Sequence, residues 1–476
     1  MGSVLAFLAP GSAIRCRRRR AALWLALAVL TLGSACGAPR SDAADDEQLV
    51  SAFDAVLDRL HEQGLFDGAI TVGRGEHLLY AGGRGLADRA LALDFTVDTP
   101  IDGASLAKTF AAASIWELVA EGQLELETPV HEVVPEFSNH EVRLRHLLDH
   151  SAGLPELDDP SGMTNGDIAA AMPSQSDFVP GTRFRYCNEC FDILALVVER
   201  VSGQVWDDFL DERFLTPLGM DHTFLRPPHL DDWLGPRARG YRHESDHFVL
   251  HDLFDDEPFY GSSNLVFSAR DLDRWAAFLI GVARDQAHPW RAGFEQANFD
   301  GVPSHLNRLN WHGASQAGPF HFNGHLRGFH LELLWDPRTD TRLVWVSNVL
   351  GGRPVPQRLT RFLWELALDP TAVPPPTLFD SWLGSARPQD DEATVVGSYL
   401  LNSGRRIEIE FNGGSWSLSI DGAIYDLYPH RPFYAPALDV AIGFEDLEDG
   451  VYRTLLWEAV FEPGRGHRVA QQTTGR

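Results

Sequence analysis

Apolar residues recur at helical spacing from Gln48 to Gln63, where Leu49, Phe53, Val56, Leu57 and Leu60 share a face and predict an amphipathic helix. The period then changes. GAITVGRGEHLLYAGG reads as two apolar runs joined by a glycine-rich turn around Gly73 and Gly75, a hairpin. From Ser105 the pattern is again helical: KTFAAASIWELVAEG stops at Gly122 and CFDILALVVERVSG at Gly203, each on a glycine stop. Strand patterns return at HLELLWDP and TRLVWVSN. Strands at both ends of a helical stretch predict an α+β fold, an antiparallel sheet flanked by helices, rather than a parallel βαβ series. Three consecutive prolines in LDPTAVPPPTLFDSW mark a linker over residues 370–390. Beyond it RIEIEF, SWSLSI, DVAIGF and YRTLLWEAVF predict a small C-terminal all-β barrel or sandwich over residues 391–476.

Composition narrows the partners. The formal net charge of −27 repels nucleic acid and anionic membranes, so neither is expected as a partner. The amino end departs from this acidity: RCRRRR runs into AALWLALAVLTLGSA and then Cys36. A basic stretch, a short apolar run and small residues predict a signal peptide over residues 1–35 and a mature chain facing an oxidising compartment. Small residues directly before Cys36 leave two outcomes open, a lipid anchor on that cysteine or plain cleavage and secretion. A linker over 36–47 then leads into a main domain over 48–369. The location expected is therefore periplasmic, membrane-anchored or secreted.

One residue changes the picture from fold to chemistry. Lys108 is the only lysine, and every other cation among the 40 Lys and Arg residues is arginine. Arginine stays protonated at any accessible pH, whereas a lysine in a desolvated pocket releases its proton and works as a base. Ser105 lies three residues earlier, one helical turn away on the same face. RYCNEC supplies Tyr186 and Asn188. A phenol held near an ammonium has its anion stabilised and serves as a general base, and an amide two residues on can hold both the lysine and a substrate amide.

Together, Ser105-Leu-Ala-Lys108, Tyr186-Cys-Asn188, LLDHSAGLP, LTPLGMDHTFL and SSNLVFSARDLDRW resemble the serine hydrolases related to class C β-lactamases, penicillin-binding DD-peptidases, D-aminopeptidases and family VIII esterases. The resemblance covers roughly residues 50–368. It implies an antiparallel sheet beside an all-helical lobe with the site between them, acylation of Ser105, and proton work shared by Lys108 and Tyr186. It implies no cofactor, no metal and no obligate protein partner. The backbone N–H of Ser105 would form half of an oxyanion hole, whose donors are typically worth several kcal/mol to acyl transfer.

A third motif departs from that family, which carries Lys-Thr-Gly or His-x-Gly on the strand edging the site. Counting back from Asp336-Pro337 puts Phe322-Asn323-Gly324 in the slot, with His325 giving the second oxyanion N–H from its backbone. A shifted reading makes His325 the motif histidine and puts Arg327 in place of its glycine. Phenylalanine cannot attract a carboxylate. Unless Arg327 takes over, the site favours uncharged acyl groups, as in esterases, and penicillin hydrolysis is expected to be poor. Two other readings stay open: a DD-peptidase or D-aminopeptidase, and a binding or sensor protein that keeps the fold without turnover.

Cys187 and Cys190, inside the tyrosine motif, are half of a zinc site with no second pair, leaving buried thiols or a local disulfide. In YRHESDHFVLHD, the histidines His243, His247 and His251 with Glu244, Asp246 and Asp252 are read as a solvated strand or loop rather than a metal site. His146 and His150 are expected to be structural, His150 fixing its loop by hydrogen bonds.

Overall fold

The computed structural model describes residues 43–182, 185–244, 247–253, 260–290, 319–350 and 356–375 of the main domain. In the C-terminal part it describes 395–401, 406–412, 415–420, 423–426, 433–435, 440–448, 451–458 and 464–469. The signal-peptide and Cys36 expectations lie outside the described residues, as does most of the proline-rich linker.

The first helix, Ala43–Glu62, buries Leu49, Phe53, Leu57 and Leu60 as its spacing requires. It begins earlier than Gln48 because its first turn is polar: Asp45 and Asp46 suit the positive end of a helix but interrupt the apolar pattern. The hairpin follows as strands Gly68–Arg74 and His77–Arg84, with Gly75 at φ 58° in the turn. These two strands join Phe320–Leu326, Phe329–Asp336 and Thr341–Ser347 in one antiparallel sheet, ordered 320–326, 329–336, 341–347, 68–74, 77–84.

Both faces of this sheet are covered, so its strands read as continuous apolar runs although their side chains alternate. Ala69, Leu331, Leu333, Val344 and Val346 join the large core shared with the helical segment. Their neighbours Ile70, Val72, Leu334, Leu343 and Trp345 pack instead with the helices Ala43–Glu62 and Pro356–Leu368. On this second face a polar cluster ties the edge strand to its neighbour. The Glu332 carboxylate bridges His321 and His330, at 2.6 Å from His330 Nε2, and His330 stacks on Trp345 at 4.8 Å.

Between the hairpin and the later strands lie the helices Ala107–Ala120, Asn188–Ser202 and Ala269–Arg284, the last capped by Ser268 accepting from Asp271 N–H. Gly122 and Gly203 take φ 71° at the ends of the first two. The C-terminal strands form a single eight-stranded antiparallel sheet. Its first and last strands, Gly397–Leu401 and Gly464–Val469, pair in the middle, an up-and-down order left open, among the described residues, between Ala423–Asp426 and Phe433–Ala435.

Candidate active site

Strand Ile101–Asp102 delivers the chain into a tight turn before the helix that carries Lys108. At Gly103 a Cβ would fall 2.0 Å from the Phe267 ring, so only glycine fits there. Ala104 follows at φ 46°, a left-handed conformation that costs a side-chain-bearing residue about 1 kcal/mol or more. Two hydrogen bonds hold this turn: Asp102 Oδ1 accepts from Ala104 N–H at 2.9 Å, and Leu265 O accepts from Gly103 N–H at 2.8 Å. Behind Asp102, buried Arg226 closes an ion pair at 2.9 Å. The strained step turns Ser105 out half-exposed while Ala104 and Leu106 stay buried.

Ser105, Lys108, Tyr186 and Asn188 come together around this turn. Ser105 Oγ lies 2.8 Å from Tyr186 Oη and 3.2 Å from Lys108 Nζ. Lys108 Nζ donates to Asn188 Oδ1 at 2.8 Å and to the Ser262 carbonyl at 2.8 Å. Both of those partners are pure acceptors, so they occupy two N–H bonds and leave the third position of the nitrogen facing Ser105. Lys108 is 1% exposed. Burial brings its amine down from the ordinary lysine range to about 7, against the opposing pull of Asp192, Glu189 and Glu156. That is the one property arginine lacks, and it answers why a chain rich in arginine keeps one lysine here.

Tyr186 and Asn188 are set by the start of helix Asn188–Ser202. Asn188 is not the cap of this helix: Cys187 takes that position, its Sγ accepting from Cys190 N–H at 3.1 Å, which frees the Asn188 amide for Lys108. Cys187 and Cys190 form a disulfide spanning the first turn. His150 buttresses the same segment, accepting from Cys187 N–H at 3.0 Å and stacking on Tyr186 at 4.7 Å. Burial, then Lys108, hold the His150 imidazole well below its ordinary range, so it stays neutral beside the amine.

The edge strand Phe320–Leu326 flanks the turn. A Cβ on Gly324 would lie 2.4 Å from Gly103 O, so this glycine permits the close approach of the strand to the turn that carries Ser105. Phe322, on the same face of the strand as Gly324, is 3% exposed within the core, and His325 is exposed. Arg327 sits past the strand at the hairpin tip with φ 51°, next to Gly328, whose N–H donates to His251 O at 2.9 Å. Gly324 therefore lies beside the turn that carries Ser105, with Phe322 buried in the core two residues before it on the same face, whereas Arg327 is placed on the turn toward His251. The histidine-rich segment forms the strands Tyr241–Glu244 and His247–Leu250, and Asp252 accepts from Arg237 and Arg239. Asp246 lies outside the described residues.

Sequence reasoning missed Asp102, Arg226, Ser262 and Asp192. Asp102, Ser262 and Asp192 act through backbone groups and Arg226 through a long-range ion pair, and neither kind of contact leaves a spacing signature.

A disposition of this kind has known counterparts. The family model described as Beta-lactamase matches residues 48–368. The chain is 31% identical to esterase EstB of Burkholderia gladioli over 208 residues, 38% of this chain and about half, 53%, of the esterase. It is 28% identical to penicillin-binding protein 4* of Bacillus subtilis over 446 residues, 85% of this chain and 95% of that protein. The octameric penicillin-binding protein homologue from Pyrococcus abyssi shares the fold at a TM-score of 0.58 and 20% identity, over 87% of this chain and 99% of that one. With its antiparallel sheet, helical segment and matched residues 48–368, the chain belongs to the Beta-lactamase family, a family of serine hydrolases that includes esterases and peptidases.

Proposed function

We propose that the protein is an exported serine hydrolase that passes through an acyl-serine on Ser105 and acts on esters or amides of small, uncharged acyl groups. The observation that carries this reading is the hydroxyl of Ser105 held between a phenol at 2.8 Å and a desolvated amine at 3.2 Å. As Ser105 Oγ attacks the acyl carbon, its proton passes to the Lys108–Tyr186 pair, which then delivers it to the departing alcohol or amine. Asn188 keeps the amine in line and is placed to meet a substrate amide. The backbone N–H groups of Ser105 and His325 are the proposed oxyanion donors, and water reverses the sequence to release the acid.

The acyl preference rests on Phe322. A buried phenylalanine takes the slot in which a cation would draw a carboxylate, and Arg327, on the hairpin tip, is the candidate for a compensating contact. A retained strained turn and a complete Ser105, Lys108, Tyr186 and Asn188 set favour turnover over a sensor that has lost it. Export is supported by the basic and apolar amino end and by the Cys187–Cys190 disulfide, a bond that persists in oxidising compartments.

A fluorophosphonate probe tests the reading: it labels the wild type and leaves Ser105→Ala unlabelled. Short-chain p-nitrophenyl esters, nitrocefin and D-alanyl peptides run side by side then rank the substrates. Esters should be hydrolysed best and nitrocefin poorly, with kcat/KM rising as pH increases through about 7, where the amine loses its proton. Preferred cleavage of D-alanyl peptides would turn the assignment to a peptidase.

A further inference from the structure

Helix Asn188–Ser202 grips Lys108 twice. Asn188 does so directly, and Asp192, one turn further along the same face, does so through a peptide. Asp192 Oδ1 accepts from Ser262 N–H at 2.8 Å, and the carbonyl of that same Ser262 accepts from Lys108 Nζ at 2.8 Å. Ser262 is fully buried, and the chain before it lies hard against the helix: a Cβ on Gly261 would be 2.4 Å from Phe191 O and 2.8 Å from Ala195 Cβ. Asp192 is also fully buried, and its Oδ2 has no hydrogen-bond partner among the described residues. A carboxylate in such a place is expensive to keep unless a nearby cation offsets it.

We propose that Asp192 is a positioning residue for the hydrolytic reaction, holding the Ser262 carbonyl that seats Lys108 and placing a negative charge behind its amine. The inference rests on the reading of Ser105 and Lys108 as the reacting pair. Accepting from Ser262 N–H polarises that peptide, so its oxygen becomes a better acceptor for Lys108. The charge favours the ammonium, and burial opposes it; Asp192 is itself pushed up to about 7 by burial, against Ser262 and Lys108. The other groups acting on the amine are Glu189 from the same helix, Glu156 from the preceding loop, neutral His150 and the Tyr186 phenol, whose ring centre is 5.0 Å from Nζ. Asp192 is bonded to Ser262, a residue that Lys108 touches.

The single lysine makes the test clean, because a protein labelled at lysine Cε gives one resonance, that of Lys108. Asp192→Asn keeps an oxygen for Ser262 N–H and removes the charge. The Lys108 titration and the acid limb of kcat/KM should both move down by about one pH unit, as expected for loss of a close opposite charge. Asp192→Glu should restore the wild-type midpoint. A uniform fall in kcat with both midpoints unmoved would reduce Asp192 to packing and overturn the proposal. If Asp192→Asn does not fold, the wild-type resonance decides: two interacting groups give a two-step titration, and one step overturns the proposal. Fluorophosphonate labelling separates the levels, since an unlabelled wild type defeats the reading of the site itself, whereas a labelled one with an unmoved lysine defeats the role of Asp192 alone.

Discussion

Arg226 and Lys108 are both cations taken out of water, 4% and 1% exposed, and they have been handled in opposite ways. Arg226 meets the Asp102 carboxylate at 2.9 Å, so its charge is matched at contact and cannot be given up. Among the described residues, Lys108 meets only neutral oxygens at hydrogen-bond distance, those of Ser105, Asn188 and Ser262, and its carboxylates act from further away. The first arrangement fixes a structure, the backbone of the turn before Ser105. The second leaves the amine close to balance between its two protonation states. Burial alone therefore does not make a cation reactive; what matters is whether the opposite charge is in contact with it.

The largest effect expected from breaking this contrast is at Lys108. Lys108→Arg keeps the charge but removes the releasable proton, and kcat/KM on p-nitrophenyl esters should fall about 10²- to 10⁴-fold, the usual worth of a positioned base. Full esterase activity in that variant would show that no proton passes through this position. Arginine is the poorer residue at one site and the better at the other: Arg226→Lys should keep turnover within severalfold and show its cost as a lower melting temperature.

Next is Asp102→Asn. Burial already pushes the Asp102 carboxyl up from its ordinary value, with Arg226 pulling it back, so the pair is held by contact rather than by solvent. Removing the charge strands a buried guanidinium, and urea denaturation should report a loss of about 3 kcal/mol or more. The amide can still accept from Ala104 N–H, so the folded fraction should retain much of its kcat.

Much of this was legible in the sequence. The lone lysine, the serine one turn before it and the Tyr186–Asn188 pair pointed to the groups that the fold brings together because each is a question of residue type at a short spacing. The sheet-and-helix order was legible because short apolar runs, the first pair joined by a glycine-rich turn, stand at both ends of a stretch of helical period. Asp192, Ser262, Asp102 and Arg226 were not, since the side-chain and carbonyl partners that matter lie between 70 and 154 residues away and are fixed only when the chain packs. The cap at Cys187 was missed for another reason: asparagine is the more frequent cap, and its side chain was already engaged by Lys108. The first helix extends past its apolar stripe because its opening turn is held by charge, which hydrophobic periodicity does not see.

The smallest expected effect tests whether the lysine site, unlike the arginine site, needs covalent support. The Cys187–Cys190 disulfide encloses Asn188, and Cys187 also caps the helix and receives no slack from His150, which holds its N–H. Closing so short a loop stabilises by about 2 kcal/mol at most in the chain-entropy view. Cys187→Ser with Cys190→Ala keeps a good capping oxygen while removing the bond, so any loss isolates the covalent link from the cap. The folded protein should persist, and kcat/KM should fall severalfold through kcat, because the Asn188 oxygen and the Tyr186 phenol would be held less well against the amine. Equal kcat with and without the bond would mean that His150 and the cap alone define that turn, and that the reactive cation is seated as firmly by hydrogen bonds as Arg226 is by charge.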